Sequence, residues 1–288
     1  MRKVAWHMRV KTSNSYILFL ILYLLICFSL TSFGFSAWNP TVMAIMTVFV
    51  MAVFVIGVSQ NQLKSSNDHF VFSFALVVKL IYMIYKFGFQ DITSPTLSKD
   101  AAGFWSVALD YYSGDFSRTY TPFPHILNFE FHFFGPNIIC CVAINIMFSM
   151  LMLRSVYAIM NKLHVSGNPR FIAAFLAAFL PYSIILSNSL LREAIYFFLI
   201  ALSFELYVDY IVEGKEKKFY LSLICLLPVL YMHIGYFPIA FVFLLDKYKH
   251  NKILTKKQLM WRIVEVCAMV GAVVIVLSFD SVSYVTGS

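Results

Sequence analysis

The sequence predicts an all-α, polytopic integral membrane protein with about eight to nine transmembrane helices, each needing roughly 20 apolar residues. Hydrophobic residues make up 60% of the chain and charged residues only 12%, whereas soluble domains contain about 25% charged residues. The apolar runs are continuous and lack the alternation typical of membrane β-barrel strands. Together these observations predict one transmembrane domain, 1–288.

The candidate spans follow one another along the whole chain. The first of them could also be a signal peptide, because Gly34-Phe35-Ser36 fits a small-x-small cleavage pattern. Its length and the spans that follow favour a retained helix. In chain order, the predicted spans are about 16–33, 40–58, 70–90, 138–160, 171–187, 193–211, 219–233, 236–246 and 263–279.

The distribution of positive charge predicts the orientation of these spans. Most of the 22 lysine and arginine residues lie in short loops on one predicted side of the membrane, including the basic loop 246–262. The opposite side keeps only Lys99, Arg118 and Arg192. Because cytoplasmic loops carry the excess of lysine and arginine, the amino terminus is predicted to be cytoplasmic.

The same rule divides the apolar region 219–246 into two arms. One helix of that length would place the basic loop 246–262 outside. A helical hairpin that breaks near His233 and Pro238 keeps that loop inside. The second arm is short, so a re-entrant or tilted segment is expected there.

One long connection, 91–137, is predicted on the outer side. A connection of this length is usually functional. Its residues 99–112 can form a helix on the membrane surface, with Phe104, Trp105, Ala108 and Tyr112 facing lipid. The segment 123–134 is too short to span the membrane, and a re-entrant or interfacial position is expected for it.

Several function classes find no support in the sequence. The net charge of +8 could indicate nucleic-acid binding, but the basic residues are spread over loops between spans. The five cysteines lie in apolar runs without metal-ligand spacing. A Gly-rich phosphate loop, an HExxH motif and a nucleophile elbow are absent. We therefore predict no metal, no cofactor and no nucleic-acid partner, but contact with membrane lipids.

A charged pair, Arg192-Glu193, stands at the outer end of the sixth predicted span. A helix amino terminus favours anions, and the planar guanidinium suits phosphate oxygens. Arg192 is therefore a candidate diphosphate ligand, although it could also fix the helix position. Glu193 is either a catalytic base or a carboxylate that complements the helix dipole. The two side chains point about 100° apart on a helix, which disfavours a direct bond.

Two further residues on the predicted outer side could take part in chemistry. Asp100 is either the cap of the surface helix or a group that orients a sugar hydroxyl or acts as a general base. His233 lies at the predicted helix break, where it could transfer a proton, bind phosphate or simply sit at the interface.

A series of short elements lies within roughly residues 95–245. A proline and a serine precede a Leu-Arg-Glu helix start, a basic inner loop follows, and the next span ends in histidine. These elements are Pro181, Ser183, Leu191-Arg192-Glu193, Glu213 to Lys218, and His233. Together with the outer run Asp100-Ala101-Ala102-Gly103-Phe104-Trp105 and the segment Tyr120 to Asn137, they resemble bacterial polysaccharide repeat-unit polymerases, the Wzy-like and EpsG-like membrane proteins.

The resemblance implies an enzyme of the bacterial cytoplasmic membrane that makes capsule, exopolysaccharide or O-antigen. A glycan on polyprenyl diphosphate would be transferred to another lipid-linked repeat unit on the outer face, without nucleotide sugar or ATP. Other polysaccharide-assembly proteins are implied partners. Asp100, Glu193 and His233 are then expected to be catalytic, and Arg192, Arg118 and Trp105 to bind diphosphate or glycan. Family members are usually longer, so a truncated or divergent member is expected.

Two other classes of protein remain as alternatives. Membrane glycosyltransferases that use polyprenyl-phosphate sugars usually carry an acidic motif after the first span, and 33–40 contains no acid. A permease, flippase or assembly subunit would instead place charges deep within its spans. The candidates for such a pathway mostly lie near span ends, where snorkelling explains them: Lys79, Lys86, Arg154, Glu205 and Asp209.

Overall fold

The computed structural model describes residues 2–32, 39–91, 93, 95–117, 122–232, 236–249, 255 and 257–264. Within them the regular structure is helical throughout. A further helical segment occupies 257–264. The helices are α1 (Arg2–Ser32), α2 (Pro40–Ser59), α3 (Ser66–Phe87), α4 (Lys99–Tyr112), α5 (Phe123–Phe134), α6 (Ile138–Lys162), α7 (Asn168–Phe179), α8 (Pro181–Ser187), α9 (Glu193–Glu213), α10 (Glu216–Met232) and α11 (Phe237–Lys249).

Several of these helices have the length and composition needed to cross a membrane. Among the described residues, α2, α3, α6 and α9 qualify, and α7 with α8 adds a fifth span if the bent pair is counted as one. In α1 the apolar stretch is shorter, Ser15–Ser29, and α10 has only 17 residues. The described residues thus include four to five helices that can span a membrane by length and composition. The last predicted span, 263–279, lies outside the described residues beyond 264.

The chain divides into two compact units. The first comprises Met1–Tyr157 and Ser166–Phe198, and the second comprises Ala158–Val165 and Leu199–Ser288. In the first unit, α1 packs on α2 and α5, while α3 packs on α7 and α8. In the second unit, an aromatic core surrounds Tyr207, whose ring stacks on Phe243 at 4.1 Å.

Among the described residues, the two arms of the predicted hairpin are present as helices that run in opposite directions. Described helix ends at Met232 and begins again at Phe237. The Lys247 ammonium near the end of α11 lies 2.5 Å from Glu216, the first residue of α10. Two residues 31 positions apart can meet in this way only if the chain reverses between them.

The long connection forms the predicted helix at 99–112, but its orientation differs from the prediction. Phe104, Trp105 and Ala108 do not face lipid, because they are buried where α4 packs on α5. The Trp105 ring meets Phe131 edge-on at 4.9 Å. The prediction was wrong here because a second amphipathic helix, α5, covers the apolar face of α4. Of the four residues expected to face lipid, Tyr112 alone is exposed.

Candidate functional site

The bent helix pair α7–α8, which is apolar enough to cross a membrane if it is counted as one element and is named the broken span here, bends by 43° at Leu180 and Pro181. Proline removes a backbone donor and disfavours helical geometry at the preceding residue. Leu180 accordingly has extended backbone angles, with φ −51° and ψ 130°. The chain leaves the helix again after Ser187 and re-enters it at Glu193, where α9 begins. Five residues of non-helical backbone therefore follow α8.

Side chains from two other helices bind carbonyl groups of this non-helical segment, 188–192. The last carbonyls of a helix have no donor within the helix, and unsatisfied groups are unfavourable in a membrane. The Lys86 ammonium on α3 donates to the Asn188 carbonyl at 3.0 Å. The Asn145 amide on α6 donates to the Ser189 carbonyl at 2.7 Å. Part of this non-helical backbone is thus held by side chains of α3 and α6.

Lys79 makes the deepest of these contacts. Its ammonium donates to the Ser183 carbonyl at 2.9 Å, to the Ser183 hydroxyl at 3.1 Å and to the Ser187 hydroxyl at 3.2 Å. The residue is only 1% exposed and lies about 20 Å along α3 from its start, at 1.5 Å per residue. The expectation that snorkelling explains Lys79 is therefore wrong, because its charge is turned into the protein.

The two lysines carry charge without a neutralising partner. In the part of the chain that the structure describes, no carboxylate lies within ion-pairing distance of Lys79 or Lys86. Their partners are carbonyl and hydroxyl oxygens, which solvate an ammonium but do not cancel its charge. A buried charge of this kind is unfavourable unless it is paired, and within a membrane it marks a candidate functional site.

Arg192 and Glu193 complete the cluster at the start of α9. The Arg192 Nε atom and the Glu193 carboxylate are 4.0 Å apart, the outer limit of an ion pair and too long for a hydrogen bond. The guanidinium also lies 5.7 Å from the centre of the Tyr196 ring. One carboxylate oxygen of Glu193 is buried and accepts no hydrogen bond among the described residues. Lys79 and Lys86 thus bind the segment 183–188, and Arg192 and Glu193 stand a few residues later, where α9 begins.

The other predicted site residues lie elsewhere or outside the description. Asp100 is exposed in the first turn of α4, and Ser98, not Asp100, occupies the cap position. Among the described residues, no hydrogen bond or ion pair joins Asp100 to Arg192 or Glu193. Trp105 is buried against α5. Arg118 and His233 lie outside the described residues.

The acids proposed for a transport pathway form an ion-pair network in the second unit. Asp209 is buried and contacts Lys162, and it lies 3.4 Å from Lys218. Glu205 is 4.0 Å from the same Lys162 ammonium. Because cations and carboxylates neutralise each other here, this network does not share the unbalanced charge of the cluster at the break.

Sequence reasoning missed the residues that brace the broken span. Hydropathy alone explains Lys79 and Lys86 by snorkelling near span ends, and it gives no role to Asn145 or Asn188. The signal that could have found them is a polar side chain inside an apolar run, such as Ile144-Asn145-Ile146. The carboxamide oxygen of Asn188 is fully buried and, within the described residues, accepts no hydrogen bond.

No family model matches the chain, no curated protein matches its sequence, and no solved structure matches its fold. Its function is therefore argued from the site itself. The strongest feature of that site is positive charge gathered around a broken span, beside a carboxylate that has a buried oxygen available to accept a proton.

Proposed function

We propose that this protein polymerises oligosaccharide repeat units carried on polyprenyl diphosphate, outside the cytoplasm. The single observation that carries the proposal is that Lys79 and Lys86 bind the segment 183–188, four residues before Arg192 at the start of α9. A diphosphate leaving group bears negative charge at headgroup depth, and fixed positive groups stabilise the charge that grows on it. The family resemblance of the Leu191-Arg192-Glu193 segment supports the same chemistry.

The proposed reaction needs no co-substrate beyond two lipid-linked glycans. The bond between the anomeric carbon of the donor and the diphosphate oxygen breaks, and a bond from that carbon to an acceptor hydroxyl oxygen forms. Glu193 accepts the hydroxyl proton as general base and releases it to water, while Arg192 holds the departing diphosphate. The buried Glu193 oxygen, which accepts no hydrogen bond among the described residues, favours this role.

The proposal also includes the membrane arrangement. We infer about eight to nine spans in the bacterial cytoplasmic membrane, with the amino terminus in the cytoplasm and the broken span opening outward. The parallel packing of α3 with α7 and α8 supports one part of this arrangement, namely that both elements cross the membrane in the same sense. The contacts Asp68–Arg170, Lys79–Ser183 and Lys86–Asn188 rise in residue number on both elements, which makes the two elements parallel.

Roles for the remaining predicted residues follow from their positions. Asp100 is exposed on α4, so it can meet a sugar. Trp105 is buried, so we assign it to packing α4 on α5 instead of stacking on a glycan. Arg118 and His233 remain proposed contributors to diphosphate binding and proton transfer.

The test compares glycan ladders from cells that make Arg192 variants at equal membrane level. Losing one contact to the developing charge raises the activation free energy by on the order of 3 kcal/mol, which slows the reaction roughly a hundredfold. Arg192→Ala is therefore expected to abolish long polymer. Arg192→Lys, which keeps charge but loses the fork, should be partly impaired. Lys217→Ala, at an exposed position, is the matched control. Normal ladders from well-expressed Arg192→Ala would sink the proposal.

A flippase or permease for the same lipid is the second candidate, and the depth of Lys79 favours it, since transport sites lie near the middle of the membrane. The two functions leave different products when the protein is absent. Without a polymerase, single repeat units still reach the cell surface. Without a flippase, lipid-linked units stay inside and no repeat unit appears outside.

A further inference from the structure

Lys79 and Lys86 occupy the same face of α3 and reach the same short piece of chain. Seven residues separate them, which is about two helical turns or roughly 10 Å along the axis. Lys79 contacts Ser183 and Ser187, and Lys86 contacts Asn188. The segment 183–188 therefore supplies every oxygen that the two ammonium groups bind in the described structure.

This arrangement satisfies hydrogen bonds but leaves charge unbalanced. Two positive charges are held by neutral oxygens, and no carboxylate among the described residues pairs with either. Asn188 in the bound segment, and Glu193 five residues further along the chain, each have a buried side-chain oxygen that accepts no hydrogen bond within the described chain. The site therefore suits a ligand that brings negative charge for the lysines and hydroxyl donors for these oxygens. A phosphate attached to a sugar has both.

We propose that Lys79 and Lys86 form a binding site for a phosphate-bearing anion, and that the segment 183–188 fills this site when no anion is bound. The anion and the segment compete for the same two ammonium groups. Binding releases the segment, which is joined to α7 through the bend at Leu180. The proposal rests on the proposed function for its ligand class, a lipid-linked sugar diphosphate, and on the two lysines for the site.

The first experiment measures thermal unfolding of the full-length protein in detergent against inorganic pyrophosphate. The melting temperature should rise with pyrophosphate. Lys79→Met and Lys86→Met should each weaken the apparent affinity about tenfold or more, because each removes one charged hydrogen-bond donor to the anion. Lys79→Arg keeps the charge and should bind. Lys64→Met, with an exposed side chain, should bind as the parent does.

Two results of this titration would overturn the site. One is a parent protein whose melting temperature does not respond to pyrophosphate. The other is an unchanged response in both methionine variants. Because Lys86 is only partly buried and makes one bond to the segment, Lys86→Met gives an answer even if Lys79→Met fails to fold.

The second experiment tests the competition through Ser187, which is 1% exposed. In Ser187→Cys, a polar maleimide should label slowly without pyrophosphate and severalfold faster with it. The Ser187 parent supplies the background from native cysteines. The acceleration should disappear when Lys79→Met is added. Labelling that slows or stays constant on pyrophosphate binding would show that the segment is not displaced.

Vesicles identify the source of the phosphate. Reconstitution into phosphatidylcholine with or without phosphatidylglycerol tests a general lipid headgroup. Stabilisation by phosphatidylglycerol that the lysine variants abolish assigns the site to membrane lipid, while a response to pyrophosphate alone assigns it to a specific phosphate ligand. Failure of the site and failure of the polymerase are distinguishable. Ladders that depend on Arg192 with no pyrophosphate response remove only the site, and a response with normal Arg192→Ala ladders removes only the polymerase.

Discussion

The two ends of α3 hold buried charge in different ways. At its start, Asp68 accepts two bonds from Arg170 Nε, at 2.9 and 3.1 Å, and one from Nη2 at 2.8 Å. The backbone amides of Lys64 and Ser65 donate to the same carboxylate, and the guanidinium lies 5.3 Å from the Tyr157 ring. Charge and hydrogen bonds are both satisfied there.

Further along the same helix, Lys79 and Lys86 have hydrogen-bond acceptors but no ion-pair partner among the described residues. Lys79 and Lys86 meet neutral oxygens of the broken span α7–α8, the same span that supplies Arg170 to the first end. The interface of α3 with α7–α8 therefore contains both a buried ion pair, Asp68–Arg170, and two lysines that no described carboxylate neutralises. We therefore expect the Asp68–Arg170 pair to stabilise the fold and the two lysines to bind a ligand. Mutations at the two places can separate these roles.

The largest effect on stability is expected at the Asp68–Arg170 ion pair near the start of α3. Arg170→Met leaves Asp68 buried without its cation, and removing one partner of a buried pair costs about 3–5 kcal/mol. We expect a strongly lowered melting temperature and little protein in the membrane. Arg170→Lys should lie between this variant and the parent, because lysine keeps the charge but loses the fork. An unchanged melting temperature in Arg170→Met would show that the Asp68–Arg170 pair does not stabilise the fold.

The next effect concerns Glu130, a buried carboxyl on α5, which lies outside the spanning helices. Burial raises its pKa from 4.5 to about 8, and the Cys141 thiol beside it lowers that value only in part. A raised carboxyl pKa means that stability is complete below pH 4.5 and falls as pH rises toward 8. Glu130→Gln should remove this slope.

The measurement is the melting temperature of parent and Glu130→Gln at pH 5 and pH 7. One proton contributes 1.36 kcal/mol per pH unit, so the parent should lose up to about 3 kcal/mol over this interval relative to the variant. Equal slopes in the two proteins would show that Glu130 ionises normally, and that a buried carboxyl without a cation need not stay neutral in this fold.

A smaller change in stability is expected at Lys79, further along α3. Lys79→Met loses three hydrogen bonds but also removes a buried charge, and replacing buried ions by apolar groups of similar size is often nearly neutral. We expect a shift within about 1 kcal/mol and a large loss of polymer. A loss of stability as great as that of Arg170→Met would instead make Lys79 a structural brace.

Part of this architecture follows from sequence because it depends on local patterns. Hydropathy located α2, α3, α6 and α9, and the start of α9 at Glu193 agrees with the predicted span. Charge distribution predicted the α10–α11 hairpin. Amphipathic spacing gave α4 its bounds but not its partner, because which surface covers an apolar face depends on tertiary packing.

The interior of the site did not follow from sequence for a related reason. Lys79 and Ser183 are 104 positions apart, and Asn145 and Ser189 are 44 apart. Hydropathy reports that a lysine is unfavourable in a span, but it does not report whether the side chain turns to the interface or to another helix. Only the packing of α3 against the broken span separates those outcomes.

The smallest effect is expected at an ion pair that is matched but exposed. Glu216 and Lys247 lie 2.5 Å apart at the open end of the α10–α11 hairpin, and the Glu216 side chain is 55% exposed. Water and salt screen such a pair, so exposed pairs contribute about 0–1 kcal/mol. Glu216→Gln should therefore shift the melting temperature slightly at low salt and not at all at high salt. The Lys247 stem should keep its place, because its ammonium lies 4.3 Å from the Phe219 ring centre as well. A large, salt-independent loss in Glu216→Gln would mean that charge matching, and not burial, sets the strength of ion pairs in this protein, and the contrast between the two ends of α3 would then lose its physical basis.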